Sequence, residues 1–288
     1  MKNLFRFFGK AFLFFLAFAI VVRIISVMGG MEDDLVMQDS IAVVRLEGII
    51  LNTRDLGDEL KKLDENDRIK GVILEINSPG GAIAPTEALY LRLQKMKKPV
   101  YAVMESLAAS GGYYTAAGCD RIYAMDTTTT GSIGVIMEFS NIQGLLDKIG
   151  VKTVVVKSGK MKDVPSPTRP MTKEEEEYLQ GSINDFYEMF IRDILKNRPI
   201  KEEKLREVAD GRVFSGRQAK ELKLIDKIGT REEAVEDMKT DLGMPDLDVR
   251  EYYEEEKGLV RQLLSQAKNF TSTHMADGQI YYLYRPGL

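Results

Sequence analysis

The chain of 288 residues has one histidine, one cysteine and no excess of positive charge. Each scarcity removes a class of function. The histidine is His274, near the C-terminus. A Ser-His-Asp triad would need that tail residue to fold back into a site built elsewhere. Cys119 stands alone, so no intrachain disulfide can form and the redox compartment stays open. It sits in Ala-Ala-Gly-Cys-Asp without a nearby His, which reads as a buried structural thiol. The formal charge is −4, but Lys2, Arg6, Lys10 and Arg23 all precede the first acid, Glu32. The remainder carries 36 basic against 44 acidic residues, a balance of −8. Nothing in that balance points to nucleic acid. No phosphate-binding loop and no internal repeat is evident, and the chemistry inferred below calls for no cofactor and no metal.

What is present begins with a membrane element. Residues 11–22 (AFLFFLAFAIVV) are an unbroken apolar run, and after Arg23 the run continues to Gly30. A stretch of about 20 apolar residues is enough for a helix to cross a bilayer. Arg23 must then snorkel or sit near an interface. Lys2, Arg6 and Lys10 before the run, and Glu32, Asp33 and Asp34 after it, place the N-terminus in the cytoplasm and the body outside. The alternative is a cleaved signal peptide, for which a small-x-small site after the run is poorly formed. Residues 1–30 are therefore expected to be anchor and 31–40 a polar tether.

Beyond the tether, strands and helices alternate. Strands are expected at 41–51, 71–76, 99–104, 121–124, 133–139 and 152–157. Helices are expected at 54–66, 86–96, 110–118, 141–149, 172–197, 202–209, 218–223 and 231–242. Thr172 and Glu175 have capping-box spacing at the start of the longest helix, and Arg198-Pro199 ends it. Helical crossovers between strands argue for an α/β fold with a parallel, doubly covered sheet. After about residue 245 the pattern weakens. Glu254–Glu256 read as a solvated charge cluster and 259–268 as a short amphipathic helix. Tyr281, Tyr282 and Tyr284 could dock on the body, and a tail with an apolar end could enter a peptide groove.

Two glycine-rich turns follow two of the apolar strands. Asn77-Ser78-Pro79-Gly80-Gly81 comes after Gly71–Ile76, and Ala109-Ser110-Gly111-Gly112-Tyr113-Tyr114 comes after Pro99–Met104. Glycine there lets backbone N–H groups approach a ligand closely. In parallel sheets ligands bind at the carboxyl ends of strands, where both turns fall. Ser110 is a candidate nucleophile, and the other turn a candidate oxyanion cradle. Serine is also a common helix N-cap, and the local sequence does not separate the two roles. With histidine so scarce, a desolvated lysine is the fitting base. Lys157, Lys160 and Lys162 all lie in one proline-bearing loop, and their spacing does not choose among them. Ser132 reads equally as a turn residue satisfying backbone groups.

The two turns, the segment Thr130-Gly131-Ser132-Ile133-Gly134-Val135, the pair Lys162-Asp163 and the segment 210–229 (DGRVFSGRQAKELKLIDKIG) together resemble the signal peptide peptidase A family of the Clp protease/crotonase superfamily. The ordered set spans about residues 40–240. The resemblance implies a Clp/crotonase-like fold of repeated ββα units over 41–245, with 246–288 as a C-terminal extension. It implies Ser110 as nucleophile and Lys162, 52 positions later, as general base. Ser132 would hydrogen-bond the base. The N–H of Gly111 and one from Gly80 or Gly81 would form the oxyanion hole. Homo-oligomers with sites at subunit contacts, in the family an octameric dome, are also implied.

The expected function is a membrane-anchored serine endopeptidase with a Ser-Lys dyad. It would degrade remnant signal peptides and other extended apolar peptides held by strand-edge pairing. A charged lysine cannot act as base, so activity should rise with pH. A crotonase-like acyl-CoA enzyme and an inactive membrane scaffold are the alternatives.

Overall fold

The computed structural model describes residues 38–252 and the backbone of Tyr281–Leu283. The expected anchor over 1–30 lies outside the described residues, as do the charge cluster and helix expected between 253 and 280. No helix among the described residues is long and apolar enough to cross a membrane.

The apolar runs become the centre of one sheet. β1 (Ser40–Glu47), β2 (Ile69–Ser78) and β4 (Val100–Ala109) lie side by side and parallel. β5 (Arg121–Ala124) pairs with the first half of the outer edge of β4, and β6 (Thr129–Gly131) with its last three residues. β7 (Val213–Ser215) runs antiparallel to β6, β8 (Lys227–Ile228) parallel to β5, and β9 (Asp248–Glu251) parallel to β1. A separate two-stranded sheet joins β3 (Gly80–Ala82) to β10 (Tyr281–Leu283), antiparallel.

The central strands are apolar at successive positions because both faces are covered. On one face Val44, Val72, Leu74 and Ala102 pack under α1 (Arg54–Glu65), α2 (Ile83–Leu93), α3 (Gly111–Ala117) and the buried end of α5 (Lys173–Asn197). α6 (Glu202–Val208) and α7 (Gly216–Glu221) extend that layer through Leu205, Val208 and Ala219. On the other face Ile41, Val43, Ile73 and Tyr101 meet Ala234, Val235 and Met238 of α8 (Arg231–Leu242). α4 (Gln143–Lys148) has no buried residue.

Two expected strands do not form. Residues 151–157 belong to no helix or strand and are exposed, and 133–139 form no strand. β4 is longer than expected. It runs through Glu105, Ser106 and Leu107 to Ala109 because its end finds a partner in β6. That extension carries the chain directly into Ser110.

Candidate active site

Ser110 closes β4 and precedes α3. Its backbone has φ 54° and ψ −117°, and its side chain makes no capping hydrogen bond. The N-cap role is therefore not the one it plays. Its N–H donates to the Gly131 carbonyl at 2.7 Å, and its carbonyl accepts the Tyr114 N–H at 2.8 Å. The main chain is held on both sides, while the hydroxyl has no hydrogen-bond partner among the described residues. Gly111 is the first residue of α3, where a backbone N–H has no intrahelical acceptor.

The two glycine turns touch. A Cβ on Gly112 would lie 2.7 Å from the Ser78 carbonyl oxygen, and one on Gly81 would lie 2.1 Å from the Ile50 carbonyl oxygen. Both glycines allow backbone to pack on backbone, a purpose that their sequence context alone does not separate from ligand approach. Gly80 has φ 95°, and its N–H donates to Ser78 Oγ at 3.1 Å. Ser78 Oγ in turn donates to the Gly48 carbonyl at 2.6 Å. The Gly80 carbonyl accepts from Ile50, and the Ala82 N–H donates back to Ile50. Because peptide groups alternate along a strand, the Gly81 N–H faces the opposite edge, where Tyr282 is its β10 partner.

Ser132 joins Ser110 through the neighbouring residue. Gly131, at φ 83°, supplies the carbonyl that holds Ser110. Ser132 follows at φ 50°, with its N–H on the Arg212 carbonyl at 2.8 Å. Arg212 forks onto Asp210 at 2.7 and 2.6 Å and pulls that carboxyl down to about 2. Both serines open into one cleft of about 510 Å³. Val135, Ile136, Ile183, Tyr187 and Ala209 give it apolar walls, and Asn184, Asp210 and Gly211 a polar side. These wall residues come from segments far apart in the chain; Val135, Asp210 and Gly211 lie in the segments that carry the resemblance, whereas no local motif marks Ile183, Asn184 and Tyr187.

Lys162 is exposed and does not line the cleft. It sits in a turn in which its N–H donates to the Gly159 carbonyl at 3.1 Å. The structure does distinguish the three lysines of this loop. Lys157 Nζ is bound to Asp163 at 2.5 Å and to the Lys160 carbonyl at 2.8 Å. Lys160 is paired with Glu174. The Lys162 ammonium has no ion-pair partner among the described residues. A single chain thus brings together Ser110, Ser132, Gly111 and the Gly80-Gly81 turn, and leaves Lys162 apart. Cys119 is buried, with its thiol pushed up by burial, in keeping with a structural role.

The sequence model of Peptidase family S49 matches residues 92–244, and that of Clp protease matches 49–130. A protein provisionally named signal peptide peptidase SppA, from Enterococcus faecium, is 40% identical over 72% of this chain and 61% of its own length. A provisionally named protease of Methanocaldococcus jannaschii is 40% identical over 69% of this chain and 65% of its own. One from Synechocystis is 38% identical over 77% of this chain and 82% of its own. The chain therefore spans somewhat under two thirds of the first two of these relatives.

Proposed function

Because the chain belongs to Peptidase family S49, whose members are serine peptidases, we propose that it is a membrane-anchored endopeptidase in which Ser110 attacks and Lys162 is the base. The observation that carries this reading is the setting of Ser110. It stands at the end of a central parallel strand, with a strained backbone, a hydroxyl and a neighbouring helix-start N–H that have no partner among the described residues, and an apolar cleft in front. A hydroxyl held this way is poised for nucleophilic attack and lacks only a base.

In the proposed reaction, neutral Lys162 takes the Ser110 proton as Oγ adds to the peptide carbonyl. The oxyanion is held by the N–H groups of Gly111 and Gly81. Gly81 is preferred over Gly80 because the Gly80 N–H already donates to Ser78 Oγ. Lys162 then protonates the leaving amine, and water hydrolyses the acyl-enzyme. Ser132, beside Ser110, hydrogen-bonds the lysine once it arrives.

A base must come within hydrogen-bond reach of the proton it removes. Lys162 of the same chain is exposed outside the cleft, so we propose that a neighbouring copy in a homo-oligomer delivers it. The segment before that loop supports such a contact. Val154 and Val156 are 85% and 96% exposed, in a stretch of β-forming residues with no strand partner among the described residues.

Substrate would lie extended along β3. That edge accepts an antiparallel strand, as its pairing with Tyr281–Leu283 demonstrates. Backbone bonds there would hold any extended peptide, and the apolar cleft would select its side chains. Remnant signal peptides, apolar and membrane-bound, fit both features. The N-terminal apolar run would hold the body on the outer face of the membrane, beside them.

The test is cleavage of a fluorogenic signal-peptide-like substrate by wild type, Ser110→Ala and Lys162→Ala, each alone, and by the two variants assembled together. Wild type should cleave, and each variant alone should lose activity by at least about 10³-fold. Mixed assemblies should recover a measurable fraction, since an intact Ser110 then meets an intact Lys162 on another chain. Inactive mixtures would place the lysine in the same chain as its serine. Activity in Lys162→Ala alone would remove it as the base.

A further inference from the structure

The turn that carries Lys162 is fastened by charge. Asp163, the next residue, accepts Arg169 Nε and Nη2, each at 3.0 Å, on separate oxygens. The other edge of the same guanidinium reaches Glu175, with Nη1 at 2.8 Å and Nη2 at 2.6 Å. One arginine thus forks onto two carboxylates at once. Glu175 is also the far half of the α5 capping box, where it accepts the Thr172 N–H at 2.9 Å. The side chains of Asp163 and Glu175 are only 14% and 8% exposed. Lys157 completes the Asp163 shell.

An isolated exposed ion pair adds little to stability. A planar guanidinium held bidentately on both edges is different, because it fixes direction as well as distance. Residues 157–172 contain no helix or strand, so backbone ladders do not set the course of this loop. Besides the Thr172 cap at its end, its links to regular structure among the described residues include the Ile142 N–H to Pro167 carbonyl bond, at 2.8 Å, the Lys160–Glu174 pair and this clamp. The clamp ends on the first turn of α5. The buried end of α5 is in turn bonded to the helix that follows the nucleophile, where the Tyr114 hydroxyl donates to Asp193, and to α2, where Asn197 donates to the Tyr90 hydroxyl at 2.7 Å. Tyr114 stacks on Tyr90 at 5.0 Å between centroids and packs on Phe190.

We infer that Asp163, Arg169 and Glu175 are positioning residues for the Ser-Lys reaction, holding the turn that presents Lys162 in register with the rigid frame of α5. This rests on the assignment of Lys162 as base. None of the three touches the reacting atoms. Their effect is on where the lysine amine is found, and misplacing a catalytic group by about 1 Å can cost about 100-fold in rate.

The experiment uses the full-length assembled protein and the fluorogenic peptide, with Arg169→Ala, Arg169→Lys, Asp163→Asn and Glu175→Gln. Arg169→Ala, Arg169→Lys and Asp163→Asn should each lower kcat about 10- to 100-fold. KM should stay within about twofold, because substrate is held by β3 and the cleft rather than by this loop. Arg169→Lys should fail to rescue, since an ammonium cannot fork onto two carboxylates. Ethylguanidinium in solution should restore part of the kcat of Arg169→Ala and none of that of Lys162→Ala. Glu175→Gln keeps a capping-box side chain and removes one charge, so it folds even if the arginine variants do not. It should show an intermediate loss of kcat. A kcat within about twofold of wild type in folded Glu175→Gln and Asp163→Asn, or a change confined to KM, would overturn the inference. Full activity in Lys162→Ala would instead sink the assignment of the base on which it rests.

Discussion

Gly112 stands where the second glycine turn meets the first, and nothing larger fits there. A methyl group would press 2.7 Å from the Ser78 carbonyl oxygen, so backbone rather than a flexible side chain would have to move. Ser78 also accepts the Gly80 N–H, so the displacement would reach the turn proposed to hold the oxyanion. Gly112→Ala should cost about 1–3 kcal/mol of stability, the usual range for overpacking. It should also lower peptide cleavage at least about tenfold, as expected when oxyanion donors shift. Thermal unfolding and kcat measured side by side check both. An unchanged kcat would mean that the two turns are not mechanically joined. At this scale the chain is readable only in part. Ser110, Ser132 and the glycines stand out as residue types, but the choice between N-cap and nucleophile at Ser110 depends on a backbone angle that no local pattern encodes. Lys162 could be chosen from its neighbours only through a resemblance. The structure supplies a physical distinction, since Lys157 and Lys160 are engaged by carboxylates.

Among the elements, those whose stability is local were the most legible. α5 begins at its capping box and ends before Arg198-Pro199, and α8 runs from Arg231 to Leu242, as their periodicity and caps predict. Strands were legible where an apolar run is buried in the sheet, as in β1, β2, β4 and β5, and less so where pairing alone decides. Residues 152–157 have the valines of a strand, but strand propensity is expressed only through pairing, and no strand in the described chain pairs with them. The three-residue β6 has the reverse property, with little intrinsic signal but a partner in place. The clamp at the head of α5 is an element-scale device with its own pH response. Arg169 holds the Asp163 carboxyl well below the usual carboxylate range and the Glu175 carboxyl at about 2. Groups with depressed folded-state values contribute above their unfolded values and lose that contribution as pH falls through the folded ones. The clamp should therefore be fully effective from about pH 5 upward, weaken as pH falls below about 4, and open only as pH falls through about 2 and below. Pulse proteolysis of the 157–172 loop by an acid-active protease would report this. Wild type should become cleavable there only in the acid window, and Arg169→Ala already at pH 5. Equal protection of the two proteins at pH 5 would contradict it.

On the scale of the whole molecule, one sheet with helices on both faces brings the ends of β2, β4 and β6 to a single edge, and the chemistry is assembled there from loops that share no sequence neighbourhood. The chain alone leaves that edge with the proposed nucleophile and a cleft, and the proposed base on an exposed loop beside a valine-rich surface. In the proposed oligomer, assembly and catalysis would be the same event, and an isolated chain would be safe to its surroundings.

The backbone of Ser110 has a consequence for the molecule's durability. A non-glycine residue at φ 54° and ψ −117° costs of order 1–3 kcal/mol, which the rest of the fold must offset. Glycine relieves the penalty at an entropic cost of about 0.5–1 kcal/mol. Ser110→Gly should therefore melt a few degrees above wild type, about 2–4 °C for each kcal/mol recovered in a domain of this size. Ser110→Ala, which keeps the angle, should not, and both should be inactive. A Ser110→Gly protein no more stable than Ser110→Ala would show that the turn carries no such cost. If it is more stable, the protein is at its most robust in a form that cannot work, and random drift toward thermal resistance would erode activity at this position first.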